Sequence, residues 1–587
     1  VSRRPAKRSR RSAGAPKERS ARVGRFSLLL VCFALASTAI AVRLVHIQLV
    51  AGRAYAAAAA EQRTRDLKIA PERGMILDRE HEVLAESVEA KSVYAVPSAV
   101  ADKEGTARAL ANILGGDERV YLRRLNKDAS FVWIARKVDV DRAEAVRGLG
   151  IRGLGFLRDS RRVYPSNELA CQVLGYVGVD DEGLAGLEKH YDDLLAGTPG
   201  RLIGERDESG RIVIPGAVTY QEDPVDGKDI VLTIDKDIQY QAQMALDEAV
   251  KTWGAKGGSV VIMDPANGEI LAMASSPSYD PNRFSQAEES AKRNRPVVDT
   301  YEPGSTIKSF TAAAVIDRGL YRPESVFELP PTIRVGGRTI HEAHPRPTVH
   351  WTLTEIVTNS SNVGAVKLGQ ALGVEGVYEY FRRFGLTEKT GVDFPGEAAG
   401  RLAPPKEWSP SSIATIPFGQ GMSVTSLQLA RALAVIANGG TLVTPHFLKA
   451  VPDEPALELD WPQERSIDAS TCATMRAVLT DVVNEGTGEA AAVPGYQVAG
   501  KTGTAKKART DGRAGYAPGK YVASFSGFIP AGEPRVLIVV CIDEPSKAIY
   551  GGTVAAPTFS RLAAYCVDHL KIPPGAPVTG ASQGEGQ

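Results

Sequence analysis

The sequence predicts an α+β fold outside a membrane, held to it by a single N-terminal transmembrane helix. Three observations predict this. Phe26–Val42 contains no charged residue and follows a strongly basic arm. From residue 50 to 225, short β-like and helical runs mix with charged turns and no internal repeat. Beyond about residue 226, strand pairs stand at both ends of a helical middle, so one sheet has to be assembled from distant parts of the chain. At roughly 100–200 residues per domain, 587 residues allow two to four domains. Apolar residues at 43% and charged ones at 24% exclude a mainly disordered chain or a polytopic membrane protein.

The net charge of +1 hides an asymmetry. Residues 1–25 hold ten Lys/Arg against a single acid, Glu18, and the remainder is net acidic. Seventeen uncharged residues span about 25 Å as a helix, a little short of a hydrocarbon core of about 30 Å. The apolar pattern continues through Leu44, Val45, Ile47, Leu49 and Val50, so an anchor over 26–48 can cross with Arg43 snorkelling. The basic arm, 1–25, then stays cytoplasmic by the positive-inside rule. Two other readings fit the segment. Ala34-Leu35-Ala36 resembles a signal-peptide cleavage site, but cutting there leaves an apolar core of about nine residues while the helical pattern runs on. Nucleic-acid binding by the arm is disfavoured, because it has no aromatic residue for stacking.

Residues 49–225 form an expected non-catalytic pedestal, with β-like runs at Lys91–Val96 and Phe131–Ala135 and a helix at Gly105–Leu114. The texture changes at Glu222–Lys228, and residues 226–570 form the second region. It opens on a strand at Ile230–Ile234 and a helix over Asp237–Thr252. Strands follow at Ser259–Met263 and Glu269–Ala274, joined by the turn Asp264-Pro-Ala-Asn-Gly268. A second pair is expected at Tyr521–Phe528 and Arg535–Ile542, then a helix over Thr558–Leu570. Residues 571–587, rich in Gly and Pro, read as a disordered tail. The five cysteines show no CxxC spacing and accompany no HExxH pattern, so they are expected to be buried apolar side chains, with no metal site.

Three short motifs carry chemistry. Ser305-Thr-Ile-Lys308 follows Pro303-Gly304 and opens a helical run, so the serine N–H is free at a helix N-terminus to stabilise an oxyanion. Lys308, one turn on, lies on the same face and its neutral amine can take the hydroxyl proton. Ser360-Ser361-Asn362 offers a proton relay at Ser360 and an amide at Asn362 that can hold a substrate carbonyl while bonding the lysine; a plain helix N-cap fits the same residues. Lys501-Thr502-Gly503-Thr504 follows a small apolar run. Its lysine and threonine hydroxyls can fix a terminal carboxylate, and the Thr504 N–H can complete an oxyanion hole with that of Ser305. A second Lys-Thr-Gly, at Lys389-Thr390-Gly391, leads into a charged loop and is set aside on context.

In this order and spacing the three motifs resemble those of penicillin-binding proteins and serine β-lactamases. Further blocks resemble the pedestal of class B penicillin-binding proteins: Arg73-Gly74-Met-Ile-Leu-Asp78-Arg79, Arg162-Val-Tyr-Pro165 and Gly183-Leu-Ala-Gly186-Leu-Glu188. Tyr301-Glu-Pro-Gly304 and Phe418-Gly-Gln-Gly421 with Val424-Thr425 belong with them, and the resemblance covers about 20–570. Within class B, the basic arm and single anchor, the short spacing to Arg73-Gly74 and Glu302-Pro-Gly-Ser-Thr-Ile-Lys308 are similar to the division-specific FtsI type. With no C-terminal repeat module read after residue 570, the chain is expected not to be of the sporulation-type or Gram-positive kinds that carry such tails. One departure is Glu80-His81, where the family usually has a polar residue and Gly; it bears on the turn, not on the chemistry.

The resemblance implies an elongated mixed pedestal, then a β-lactamase-like transpeptidase domain with an antiparallel sheet flanked by helices plus an all-α subdomain. It implies septal peptidoglycan cross-linking: Ser305 attacks the penultimate D-Ala carbonyl of a stem peptide with Lys308 as base. Ser360 passes a proton to the departing D-Ala, and a neighbouring amine takes the acyl group. Penicillin and other β-lactams are expected to be trapped as acyl-enzymes, and no cofactor is implied. Arg73, Gly74, Asp78, Arg79, Arg162, Gly183, Gly186 and Glu188 are expected to be structural. The length of the pedestal exceeds what a tether needs, so it is expected to receive an activating signal from membrane partners. The implied partners are the SEDS-family glycosyltransferase FtsW and other divisome membrane proteins, with the catalytic region on the extracytoplasmic side at the septum. Three rivals share features of this reading: an elongation-type class B transpeptidase, a β-lactamase, and a non-catalytic division scaffold or β-lactam sensor.

Overall fold

The computed structural model describes residues 17–52, 55, 64–205, 218–509 and 515–578. The first part of the basic arm, three stretches of the pedestal, residues 510–514 and the last nine residues of the tail therefore lie outside the described residues. Helix α1 (Lys17–Val45) continues through a single π turn at His46–Val50. Its stretch Gly24–Val50 is long and apolar enough to cross a membrane, with every large side chain exposed.

The chain divides into two compact units. One comprises residues 1–69 and 199–224, and its described strands form a three-stranded antiparallel sheet in the order Thr64–Ile69, Gly200–Glu205, Val218–Glu222. The other comprises 70–198 and 225–587.

In the second unit, strand pairing crosses residue 225. Ile230–Leu232 pairs in parallel with Ile76–Leu77 on one side and antiparallel with Leu448–Ala450 on the other. The sheet continues through Val83–Ala95, which pairs with both Val132–Asp139 and Leu154–Val163. One hydrogen-bonded sheet thus takes strands from both sides of the texture change.

The turn at Asp78–Glu82 keeps its hydrogen bonds despite the departure from Gly. Asp78 Oδ1 accepts from the N–H groups of Glu80 and Glu82, and His81 adopts a left-handed φ of 65°. Arg73 and Arg162 grip opposite oxygens of the fully buried Glu188 at 2.7 Å each, and Arg73 also reaches Asp192. Gly74 and Gly183 are required by close approach: a Cβ on either would stand 2.0 Å from a backbone oxygen, of Lys228 and Glu188 respectively. Gly186 has a φ of 60°. Arg79 pairs with Glu269.

The remaining core is built on a five-stranded antiparallel sheet. Its strands are β1 (Gly257–Met263), β2 (Ile270–Ser276), β3 (Ala499–Ala508), β4 (Tyr516–Ile529) and β5 (Val536–Asp543), in the spatial order β2-β1-β5-β4-β3. β1 and β5 are apolar almost throughout because both faces are covered. Along β5, Leu537, Val539 and Cys541 join one core cluster, while Ile538, Val540 and Ile542 join the other. Period-two geometry makes that division obligatory. Burying each such Val, Leu or Ile contributes roughly 1.5–3 kcal/mol.

The first face carries α3 (Lys308–Asp317), α4 (Asn362–Arg383), α5 (Ser426–Ala437) and α6 (Ala469–Asn484). The second carries α2 (Lys236–Trp253) and α7 (Ala556–His569). Asp235 starts the former by accepting from Asp237 N and Ile238 N, and Gly254 ends it with a φ of 56°. Four cysteines are buried and Cys32 lies exposed on α1. Burial pushes the Cys171 and Cys472 thiols up to about 12, so neither is a ready thiolate.

Candidate active site

Ser305 sits in a 3-10 turn, Gly304–Ile307, that runs directly into α3. The turn is pressed between two glycine-bearing segments. Gly304 N donates to Gly419 O at 3.1 Å, and a Cβ on Gly419 would stand 2.2 Å from Gly304 O. On the other side, a Cβ on Gly503 of β3 would meet Ser524 Oγ at 2.3 Å and Pro303 O at 3.1 Å. Gly419 and Gly503 therefore let the serine turn lie flush against edge strand β3.

Lys308 is buried, and its ammonium faces the second motif. Nζ donates to Ser360 O at 2.5 Å, to Asn362 Oδ1 at 2.8 Å and to Ser360 Oγ at 3.2 Å. Burial pushes its pKa down to about 7, against the opposing pull of Glu342. A lysine that is half neutral near pH 7 can act as a base. Among the described residues no hydrogen bond joins Nζ to Ser305 Oγ; the sequence places both on one helical face, and the structure directs the amine to Ser360 and Asn362.

Ser360 holds a left-handed φ of 58°, costly for a residue with a Cβ. Ser361 is the N-cap of α4, its Oγ accepting from Gly364 N at 2.9 Å. The motif is thus a helix N-cap and a lysine-binding loop at once.

Lys501 is equally buried, and its Nζ is 3.2 Å from Thr502 Oγ1 and 3.4 Å from Thr487 Oγ1. Burial first, then the charge of Lys308, holds its pKa well below the lysine range. The two lysines are therefore close enough to feel each other. Thr502 Oγ1 lies 2.8 Å from Thr487 Oγ1, and Thr504 Oγ1 accepts from Gly551 N at 3.1 Å. The alternative Lys389-Thr390-Gly391 is occupied elsewhere: Thr390 N and Oγ1 both donate to Glu397 Oε1 at 2.6 Å.

Sequence reasoning missed two residues here. Thr487 lies in Gly486-Thr487-Gly488, and the glycines flanking a lone threonine were its only signal. Glu342 had none: it is a single acid in a polar loop, yet it contacts the N-terminus of α4.

The site thus sets a serine on a helix turn between a lysine kept partly neutral and an edge strand. The chain belongs to the penicillin-binding protein family. Residues 258–564 match the penicillin-binding protein transpeptidase domain, and residues 68–232 match the penicillin-binding protein dimerisation domain. It is 37% identical over 543 residues to stage V sporulation protein D of Bacillus subtilis, covering 91% of this chain and 83% of that one. It is 35% identical over 577 residues to the peptidoglycan D,D-transpeptidase FtsI of Escherichia coli, covering 96% of this chain and 95% of that one. Among solved structures it is similar to penicillin-binding protein 3 of Mycobacterium tuberculosis in complex with aztreonam, with a TM-score of 0.69 and 32% identity, covering 87% of this chain and 99% of that one. Its apolar N-terminal helix fits a single-pass membrane protein.

Proposed function

We propose that the protein is a septal peptidoglycan D,D-transpeptidase that cross-links stem peptides through an acyl-enzyme on Ser305. The observation that carries the proposal is the buried Lys308, depressed to about 7 and bonded to both Ser360 and Asn362. In the first half-reaction the Ser305 Oγ–carbonyl bond forms and the D-Ala–D-Ala peptide bond breaks. Lys308 takes the hydroxyl proton, and Ser360 passes a proton to the departing D-Ala amine. In the second, an amine of a neighbouring stem peptide attacks the ester, the new amide forms, and the proton returns to Ser305. The N–H groups of Ser305 and Thr504 stabilise the oxyanion in both halves. Lys501 with Thr502 and Thr504 holds the terminal carboxylate, and the close approach at Gly503 supports that role. A β-lactam enters the same first step and stays bound.

The division role rests on the resemblance to the FtsI type, supported by an alignment with the peptidoglycan D,D-transpeptidase FtsI that spans nearly the full length of both chains. In this reading the domains are the arm 1–25, the anchor 26–48, the pedestal 49–225, the transpeptidase 226–570 and the tail 571–587, with the catalytic region outside the membrane. A SEDS-family glycosyltransferase of the FtsW kind and other divisome membrane proteins are the partners. The test is twofold. The full-length protein, given a stem pentapeptide and an amine acceptor, is expected to release one D-Ala per cross-link formed, and Ser305→Ala to release none. In cells depleted of the protein, expected outcomes are filaments without septa, rescued by wild type and not by Ser305→Ala; unimpaired septation with loss of side-wall growth would assign it to elongation instead.

A further inference from the structure

The loop at residues 341–346 makes three contacts with the Ser360-Ser361-Asn362 motif and one with Val363 beside it. Glu342 Oε2 accepts from Asn362 N at 2.7 Å, and Oε1 accepts from Ser361 Oγ at 2.6 Å and Val363 N at 3.4 Å. Asn362 Nδ2 donates to His341 O at 2.9 Å, leaving its Oδ1 turned to Lys308. The Glu342 side chain is 6% exposed and is itself fixed by Arg346, which also donates to Leu329 O and stacks over Trp351. Three donors of a helix N-terminus converge on one buried carboxylate, which is favourable for the helix dipole and for orphan N–H groups.

We propose that Glu342 is a positioning residue that locks the Ser360–Asn362 loop around Lys308 and so sets both the speed and the pH range of serine acylation. It rests on the acyl-enzyme reading above. The loop needs such a lock because Ser360 is held in a left-handed conformation that its own backbone disfavours. Without Glu342, the hydroxyl of Ser361, the N-cap of α4, and the backbone N–H of Asn362 both lose their carboxylate acceptor, and the lysine's two side-chain acceptors drift. Its charge acts as well. The charged groups acting with Lys308 are Glu342, which favours the protonated amine, and Lys501 on β3; Arg346, His341 and His344 lie on the Glu342 segment. Removing the negative charge makes Lys308 easier to deprotonate.

The test uses the full-length protein in lipid nanodiscs and a fluorescent penicillin, measuring acylation rate from pH 5.5 to 10 with thermal unfolding alongside. Glu342→Gln is expected to acylate at least tenfold more slowly, with the acid limb of its profile shifted down by roughly one unit. Glu342→Asp keeps the charge; it is expected to keep the wild-type acid limb and recover part of the rate. A wild-type rate and acid limb in Glu342→Gln would overturn the proposal. So would slowing in both variants that tracks lost thermal stability with no movement of the limb, since that marks a purely structural residue. Failure of the wild-type protein itself to acylate would instead remove the acyl-enzyme reading on which the proposal stands.

Discussion

Lys308 Nζ donates to Asn362 Oδ1 across 2.8 Å, joining two motifs that stand 54 residues apart in the chain. Each motif is weak alone. Together they make a buried amine with two side-chain acceptors, at a site where burial rather than an opposing charge sets the proton affinity.

The first consequence is a pH dependence. The acylating form needs Lys308 neutral, so the rate of penicillin acylation should rise through about pH 7 and level off above it. For stability the sign follows from a folded pKa below that of the unfolded chain. The cost of burying the ammonium is full below about pH 7 and is relieved as pH rises toward the ordinary lysine value. Replacing the amine, as in Lys308→Ala, is expected to slow acylation by about 10²–10⁴-fold, measured with the same fluorescent penicillin.

The serine turn should be intolerant of a single methyl group. Gly419 has a φ of 83°, and its Cβ would stand 2.2 Å from Gly304 O. Gly419→Ala is expected to cost at least about 1–2 kcal/mol from backbone strain alone, and to displace Ser305 from β3. Acylation should fall well beyond what the stability loss explains; an unchanged rate would contradict this packing.

The buried ion triad in the pedestal predicts a large and purely structural effect. Glu188→Ala leaves Arg73 and Arg162 buried without their carboxylate, which typically costs about 3–5 kcal/mol. Thermal unfolding should register it. Replacing the partly exposed Asp192 should cost much less.

At His81 the expected change is favourable. Its φ of 65° strains a residue with a Cβ, whereas glycine adopts it freely. His81→Gly is expected to stabilise by up to about 1 kcal/mol, visible as a small rise in melting temperature. A fall would show that the His81 side chain contributes more than its backbone strain costs.

Much of this architecture is legible in the sequence because its signals are local. The strands Gly257–Met263 and Val536–Asp543 announce themselves as apolar runs, since both faces meet a core. Helix Lys236–Trp253 has its Asp235 cap and Gly254 stop in place. Where pairing is non-local the sequence is silent. Nothing near Ile230 says that it lies between Ile76 and Leu448, and so the texture change at 222–228 does not coincide with a break in the sheet. The site divides in the same way. Ser305, Lys308, Ser360, Asn362 and Lys501 are found through spacing. Glu342 is found only in three dimensions, because its partners Ser361 and Asn362 stand about 20 residues away with no pattern linking them.

The most direct test of the account is the intact mass of the full-length protein, followed for hours after addition of penicillin, for wild type and Ser305→Ala. A single, long-lived penicillin adduct is expected on wild type and none on Ser305→Ala. An adduct of equal yield on both would place the nucleophile elsewhere, and none on either would contradict an acyl-enzyme at Ser305.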